Sequence, residues 1–295
     1  MNLLVTGGTG FIGSELCRQL TRRGKHRVYC LTRKNTPIKK IKNLGIPLKD
    51  PGEALALAKQ FRRLKINGVI HLAGYFVASH KTEDIAPLLE SNISLGLRLA
   101  DAAAQAGVPW FINTGTFWQR HDNQAGMPAS LYAATKQAFE DILKFYQNSN
   151  ALKVVTMELY DTYGPGDRRK KLFYWLDRAV ATGETLAMSP GRQKMNLVHL
   201  EDVVGAYLRL IALIHSSSSR LESNYCIGLS RFLSLREVVQ IYSQARGKKI
   251  KVQWGGRPYR DEEFMNPKHA YPVVPGWKPK YVSLKHGLAA IFKEQ

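Results

Sequence analysis

The chain has 295 residues, 44% apolar and 22% charged, enough for a sizeable core in one large or two modest domains, and it carries a formal charge of +20. Such a field concentrates polyanions, but the basic residues are dispersed and form neither a nucleic-acid-binding motif nor a basic tail, so no specific nucleic acid is expected; most are read as a solvated surface, the remainder as drawing in a dinucleotide and a second diphosphate ligand. No run of about 18 apolar residues, no signal-peptide layout, no Cys-x-x-Cys among 3 cysteines and no ligand spacing among 8 histidines exclude membrane insertion, secretion and a metal site, leaving a cytoplasmic location and buried, reduced thiols as the expectation.

Leu3-Leu4-Val5 reads as a short buried strand, followed by Thr6-Gly7-Gly8-Thr9-Gly10-Phe11-Ile12-Gly13 and an amphipathic helix from about Gly13 to Arg23. Glycines at 7, 10 and 13 permit a tight turn, close approach of backbone to a pyrophosphate and close helix packing, while the helix N-terminus offers N–H groups to the anion. Between a strand and a helix, this triplet predicts dinucleotide binding at Gly7, Gly10, Phe11, Ile12 and Gly13. Arg27 to Thr32 reads as the second strand, ending in Thr32-Arg33-Lys34. An acidic residue near this end takes the ribose 2′-hydroxyl of NAD, whereas an arginine accommodates the 2′-phosphate of NADP. No acidic residue occurs from 16 to 49, so the expected cofactor is NADP(H), with Arg33 on the 2′-phosphate and NAD(H) as the alternative.

A short helix around Pro37 to Asn43, a strand at Ile46-Pro47-Leu48 and a helix from about Gly52 to Leu64 continue the alternation. Gly68 to Gly74 reads as a buried strand ending in Leu72-Ala73-Gly74, small residues suited to passing close to a cofactor, with His71 packed inside it. A long helix from about Ile85 to Ala106 carries Asn92, a residue type that in this setting more often cross-links backbone than catalyses. Trp110 to Thr114 is the next strand, leading into Gly115-Thr116-Phe117-Trp118. The repeat predicts an α/β fold with a doubly wound parallel (Rossmann) sheet, whose strand ends hold Gly7 to Gly13, Arg33, Ala73-Gly74 and Thr114 to Thr116 around one crevice.

Tyr132 to about Asn148 reads as a helix, with Phe139, Ile142, Leu143 and Phe145 at helical spacing. Tyr132 and Lys136 share one face of it, about one turn apart. A free tyrosine has a pKa near 10, and an adjacent ammonium lowers it, so the pair is suited to give a proton to a ketone or take one from an alcohol. Beyond about Gly164 the alternation loosens into helices at Lys171 to Thr182 and Leu235 to Arg246, an exposed turn at Ser216 to Ser219, a polar loop at Arg257 to Pro267 and a closing helix at Leu284 to Phe292. Returning strands are expected at Lys153 to Tyr160 and Leu197 to His199. The expected division is a nucleotide-binding domain over 1–165, with returning segments near 195–215, and a mainly substrate-binding domain over 166–295.

With these pieces in place the chain resembles, over nearly all its length, an extended short-chain dehydrogenase/reductase of the nucleotide-sugar epimerase and dehydratase family. Tyr163-Gly164-Pro165-Gly166-Asp167, Val198-His199-Leu200-Glu201-Asp202-Val203 and Pro275-Gly276-Trp277-Lys278-Pro279 look like further elements of that family. The resemblance implies that Thr116 hydrogen-bonds the sugar carbonyl, that Tyr132 is the acid/base, and that Lys136 holds the nicotinamide ribose. It extends the cofactor set to Leu72, Ala73, Gly74, Asn92 and Thr114 and the substrate set to Thr116, Phe117, His80, Asp161 and Arg260. It also implies a nucleotide-diphosphate sugar as substrate, and a homodimer formed through the Ile85 to Ala106 and Tyr132 to Asn148 helices.

Departures narrow the reaction. Phe117-Trp118 stands where the family's dehydratases carry an Asp-Glu pair, which argues against elimination of water. Glu158, Asp161 and Met195-Asn196 stand where Arg, Asn and Arg-Asp are common, and the last change removes a diphosphate contact for which Arg192, Lys194 or Arg260 are candidate substitutes. Within the family, Asn113 to Phe117, the Tyr132 helix, the Tyr163 loop and His80-Lys81-Thr82 look most like the 4-keto reductases that make dideoxyhexoses, of the CDP-abequose synthase type. The expected activity is NADPH-dependent reduction of a nucleotide-linked 4-keto-deoxysugar. The alternatives are an epimerase that keeps NAD bound and a non-catalytic or RNA-associated member.

Overall fold

A computed structural model describes residues 1–33, 35–216 and 221–293; Lys34 and positions 217–219 of the expected turn lie outside them. Seven parallel strands form the central sheet: β1 (Asn2–Thr6), β2 (Arg27–Thr32), β3 (Ile46–Lys49), β4 (Gly68–His71), β5 (Trp110–Thr116), β6 (Lys153–Leu159) and a last strand, Asn224–Ile227. Their spatial order is Asn224–Ile227, β6, β5, β4, β1, β2, β3, with every pairing parallel. This is a Rossmann-type doubly wound α/β fold. Strands covered on both faces are buried along their length, and β1 and β4 are, with Leu3, Leu4, Val5, Val69 and Ile70 wholly covered. The chain reverses direction of travel across the sheet between β1 and β4, the switch point at whose strand carboxyl ends ligands bind in sheets of this kind.

One face of the sheet is covered by α1 (Phe11–Arg22) and the helix Leu200–His215, which bury Leu16, Leu20, Val203 and Leu210 against Leu3, Ile70 and Ile112. The other is covered by α2 (Ala54–Leu64) and the helices Leu95–Gln105 and Leu131–Asn148, which bury Leu57, Phe61, Leu99 and Phe139 against Leu4, Val69 and Phe111. A third core, with Leu176, Val238, Tyr242 and Leu288, joins the helices Leu172–Thr182, Leu235–Arg246 and Leu284–Lys293 into a smaller unit at the crevice end.

The helix expected over 37–43 is only a 3-10 turn, Ile38–Lys40, because Pro37 opens the segment and Asn43 adopts φ 72°. The strand expected through Gly74 stops at His71. The long helix expected over 85–106 is present but widens into a π-turn at Glu90–Ser94, between Ile85–Leu89 and Leu95–Gln105, and Asn92 sits in that turn. Asn224–Ile227 adds a sheet strand that lies past the 195–215 segments expected to return; at four residues it has too little pattern to be read from sequence. All three cysteines are buried and free. Among the described residues no helix is long and apolar enough to cross a membrane, and no group of three or more His, Cys, Asp or Glu is arranged to hold a metal ion.

Candidate active site

At the end of β1 the glycines are sterically required. Gly7 has φ 68° and a Cβ on it would stand 2.8 Å from the Ala73 nitrogen; one on Gly13 would stand 2.1 Å from the Gly7 oxygen. The Gly10 N–H bonds to that same oxygen at 2.8 Å, and no side chain caps α1 behind it, so the N–H groups at Phe11 and Ile12 are left for an anion. The neighbouring strand end is tied in by Thr6, whose hydroxyl accepts from the Ala73 N–H at 3.1 Å and pairs with His71 Nδ1 at 2.8 Å. His71 is wholly buried; desolvation, with Lys136 nearby, lowers its pKa to about 3, which leaves it a neutral packed residue.

Arg33 stands exposed just past the end of β2. The acid-free stretch ends at Asp50, whose backbone N–H reaches Thr32. Its carboxylate is already engaged, by the Gly52 N–H at 2.9 Å and by Arg98 at 3.5 Å. Across the glycine loop, Arg169 grips Asp167 with two 2.7 Å bonds and lays its guanidinium 4.2 Å over the Phe11 ring, closing the Tyr163 loop onto the start of α1.

Ser130 caps the helix Leu131–Asn148 by accepting the Ala133 N–H at 3.2 Å, which fixes Tyr132 and Lys136 in its first turns. Tyr132 is half-buried, whereas Lys136 is 3% exposed and makes no hydrogen bond or ion pair among the described residues. The expectation that Lys136 lowers the Tyr132 phenol is not met. Burial dominates both groups, pushing Tyr132 up to about 12 and Lys136 down to about 8, with the Glu140 carboxylate one turn on opposing the latter shift. A buried ammonium without a partner is costly unless a ligand supplies the acceptor, and the cradle of Gly7 and Gly13 beside it fits a dinucleotide.

Thr116 is held from behind. Its N–H bonds to Gln119 Oε1 at 2.8 Å, Gln119 donates to Glu140 at 2.7 Å, and Asn224 donates to the other oxygen of Glu140 at 2.6 Å. Sequence reading missed this chain, although Thr-x-x-Gln over 116–119 is a capping-box spacing that points to Gln119. Asn92, expected at the cofactor, is wholly buried and spends its amide on the protein: its oxygen accepts the Tyr75 N–H at 2.8 Å, and its nitrogen donates to the Tyr75 carbonyl and to Thr135 at 3.0 Å. It therefore shapes the crevice by fixing the loop after β4 to the Tyr132 helix. Thr114 is half-buried and shares a 2.7 Å hydrogen bond with Tyr207.

On the substrate side, Phe117 is packed inside rather than facing a ligand, stacked on Tyr160 at 4.8 Å and against Phe264 at 5.6 Å. His80 is exposed beside Asp84, outside the aromatic wall. The wall is built instead by Phe76, edge-on to Tyr132 at 4.9 Å and to Trp118 at 5.7 Å. Lys171 Nζ sits 4.5 Å over Phe76, and Arg260 lies 4.8 Å over Trp118 while bonding Glu263 at 2.9 Å. Asp161 faces this group: burial raises its pKa, against the charges of Lys171, Arg260 and Arg169, and its carboxylate has no hydrogen bond or ion pair among the described residues. Asn196 is buried, bonded both ways to the Leu229 backbone at 2.6 and 2.8 Å, and Arg192 and Lys194 are exposed.

A family model described as the NAD dependent epimerase/dehydratase family matches residues 3–228. The chain is 29% identical to the CDP-abequose synthase of Salmonella typhimurium over 99% of this chain and 97% of that protein. It is 27% identical to the CDP-abequose synthase of Yersinia pseudotuberculosis over 92% and 93%. Among solved structures it is similar to Thermus thermophilus UDP-glucose 4-epimerase in complex with NAD (TM-score 0.79, 26% identity, 99% of each chain). The fold is shared with a mutant of Bacillus cereus UDP-glucuronic acid 4-epimerase in complex with NAD and a fluorinated UDP-sugar (TM-score 0.83, 20% identity, 99% and 98% of the chains).

Proposed function

This chain belongs to the NAD dependent epimerase/dehydratase family, and we propose that it reduces a nucleotide-linked 4-keto-deoxysugar to the 4-hydroxy sugar with NADPH. The observation that carries the reading is a glycine-lined helix start tied through Thr6 to His71, which lies near enough to Lys136 to feel its charge, with Tyr132 one helix turn from that lysine and Thr116 flanked by buried Phe117 and half-buried Trp118 in place of a carboxylate pair. Without that acid/base pair, elimination of water has no proton acceptor next to the sugar. The end-to-end similarity to the CDP-abequose synthases supports the reductive direction and a deoxygenated sugar. NADPH is supported by exposed Arg33 and by the prior engagement of Asp50.

When bound, the dihydronicotinamide supplies hydride to the carbonyl carbon. Gly7, Gly10, Phe11, Ile12 and Gly13 would hold its pyrophosphate, Leu72 to Gly74 would line its path, and Lys136 would hold its ribose. Thr116 donates to the carbonyl oxygen as negative charge builds there, its position fixed through Gln119 and Glu140. Burial keeps the Tyr132 phenol protonated, which is the state needed to give a proton. Arg260, Asp161, Lys171 and Trp118 form the wall that would read the sugar. A homodimer is supported by exposed Ile85 and Leu89, one turn apart, and exposed Phe145 on the two helices concerned.

The test is to incubate the protein and NADPH with CDP-, dTDP-, UDP- and GDP-linked 4-keto sugars while following cofactor absorbance. Oxidation matched mole for mole by hydroxy-sugar formation is the expected result. A second reading, a nucleotide-sugar epimerase, is favoured by the NAD held in the T. thermophilus 4-epimerase structure. Purified protein carrying stoichiometric NAD+, and inert toward every ketosugar, would replace the first reading with it.

A further inference from the structure

Tyr207 lies in the apolar run Val203-Val204-Gly205-Ala206-Tyr207 of the helix behind the sheet, where phenylalanine would fill the same space. It is 0% exposed, and its hydroxyl makes one hydrogen bond among the described residues, to Thr114 Oγ1 at 2.7 Å. Two hydroxyls that share one bond use one of their two protons. Were Thr114 the donor, the phenol proton would be left buried, in the apolar core that Tyr207 shares with Val203, Leu210 and Ile112, with no acceptor among the described residues and at the full cost of its desolvation. A phenol is also the stronger acid of the two. Tyr207 therefore donates, and the Thr114 proton has to point elsewhere.

Where it points follows from Thr114's place. It stands at the carboxyl end of β5 on the same face as Thr116, half-buried between the fully covered Asn113 and Gly115, at the end of the sheet where ligands bind in such folds. We propose that Tyr207 is a positioning residue, which by donating to Thr114 turns the Thr114 hydroxyl proton into the crevice as a fixed donor for an acceptor on the nicotinamide half of the cofactor. Electrostatics agree with this location. Burial pushes the Tyr207 phenol up, its Thr114 bond draws it down through the deprotonated form, in which the phenolate would accept, and charge on Tyr132 pushes it up again, so the catalytic phenol lies near the pair.

The inference rests on the reading that the crevice takes a nicotinamide cofactor, and the experiment separates the two. Binding of NADPH and NADH is measured by fluorescence for the whole protein and for Tyr207→Phe, Thr114→Val, Thr114→Ser and the double variant Tyr207→Phe/Thr114→Val. ADP-ribose and 2′-phospho-ADP-ribose, which lack the nicotinamide ring, serve as parallel probes. For the tighter of the two cofactors, Tyr207→Phe and Thr114→Val are each expected to weaken binding about 3- to 10-fold, the range of one neutral hydrogen bond. The double variant should bind no more weakly than Thr114→Val alone, Thr114→Ser should bind like the parent, and the ring-less probes should be unaffected. Wild-type affinity in Tyr207→Phe, additive losses in the double variant, or equal weakening of the ring-less probes would each overturn the proposal. Failure of the parent protein to bind either cofactor would overturn the functional reading and take this inference with it.

Discussion

The two walls of the crevice are made in different ways. The cofactor wall is backbone: glycines that no side chain could replace, an uncapped helix start, and strand ends stitched by Thr6. The substrate wall is side chain: Phe76, Trp118, Asp161, Lys171 and Arg260 come from separate segments of the chain and meet through ring and charge contacts. The first wall is sterically over-determined and tolerates little change. The second leaves groups such as the Asp161 carboxylate without a hydrogen bond or ion pair among the described residues, which is what a surface awaiting a polar ligand requires. Stability is concentrated in one wall and selectivity in the other, with Tyr132 at the seam.

Substitution at the seam should have the largest effect. Tyr132→Phe removes one hydroxyl and keeps the ring that packs on Phe76, so cofactor affinity should persist while turnover falls about 10²- to 10⁴-fold, the range of general acid catalysis. Turnover within a few-fold of the parent would show that the proton comes from elsewhere. On the cofactor wall, Arg33→Asp exchanges a cation for an anion where the 2′-phosphate is proposed to lie. It should swing the NADPH-to-NADH ratio of kcat/KM by about 100-fold, the sum of a lost charged hydrogen bond and a gained repulsion. An unchanged ratio would remove Arg33 from the cofactor site.

The same contrast explains what could be read before the structure was in hand. Gly7 to Gly13 was legible because strand, glycine turn and helix are contiguous and their requirement is steric, so thirteen residues carry the whole signal. Tyr132 and Lys136 were legible because one helix turn separates them. Phe76 left no trace, since its role depends on a loop folding back over Tyr132, and Phe117, one residue from Trp118, went into the core instead of the wall. Asn92 was read both as a cross-link and as a cofactor contact, and its three bonds to Tyr75 and Thr135 account for its burial. The direction of the Tyr132 shift was misjudged because helical spacing gives the neighbour but not the desolvation, and here desolvation is the larger effect.

On the substrate wall, Lys171→Met should raise KM for the sugar nucleotide about 10-fold with cofactor affinity intact. Burial lowers the Lys171 pKa, Asp161 raises it, and among the described residues the ammonium lies against the Phe76 face without an ion pair. A desolvated cation of this kind is worth one charged hydrogen bond to a ligand. Equal weakening of cofactor and sugar nucleotide would mean that the two walls are not separable, and would break the comparison itself.

The last effect is on stability rather than turnover, at the Glu158–Arg120 strut. Near the end of β6, one Glu158 carboxylate oxygen takes Arg120 Nε at 3.3 Å and the other is buried with no partner among the described residues. Burial raises its pKa to about 7, against the pull of Arg120, which also lies 4.4 Å over Tyr271. A carboxyl that binds its proton more tightly folded than unfolded contributes stability that is complete below its ordinary pKa, near 4.5, and lost as pH rises through about 7. Glu158→Gln keeps the shape and removes the titration, so the parent should lose about 2–3 kcal/mol relative to this variant between pH 5 and pH 8, read from urea unfolding at both values. The variant's own slope should be flatter over that interval, and Arg120 should remain in place through its stacking on Tyr271. Parallel pH dependences for the two proteins would show that Arg120 holds Glu158 ionised throughout, and that this strut, unlike Asp161 and Lys171, carries no cost of an underpaired charge.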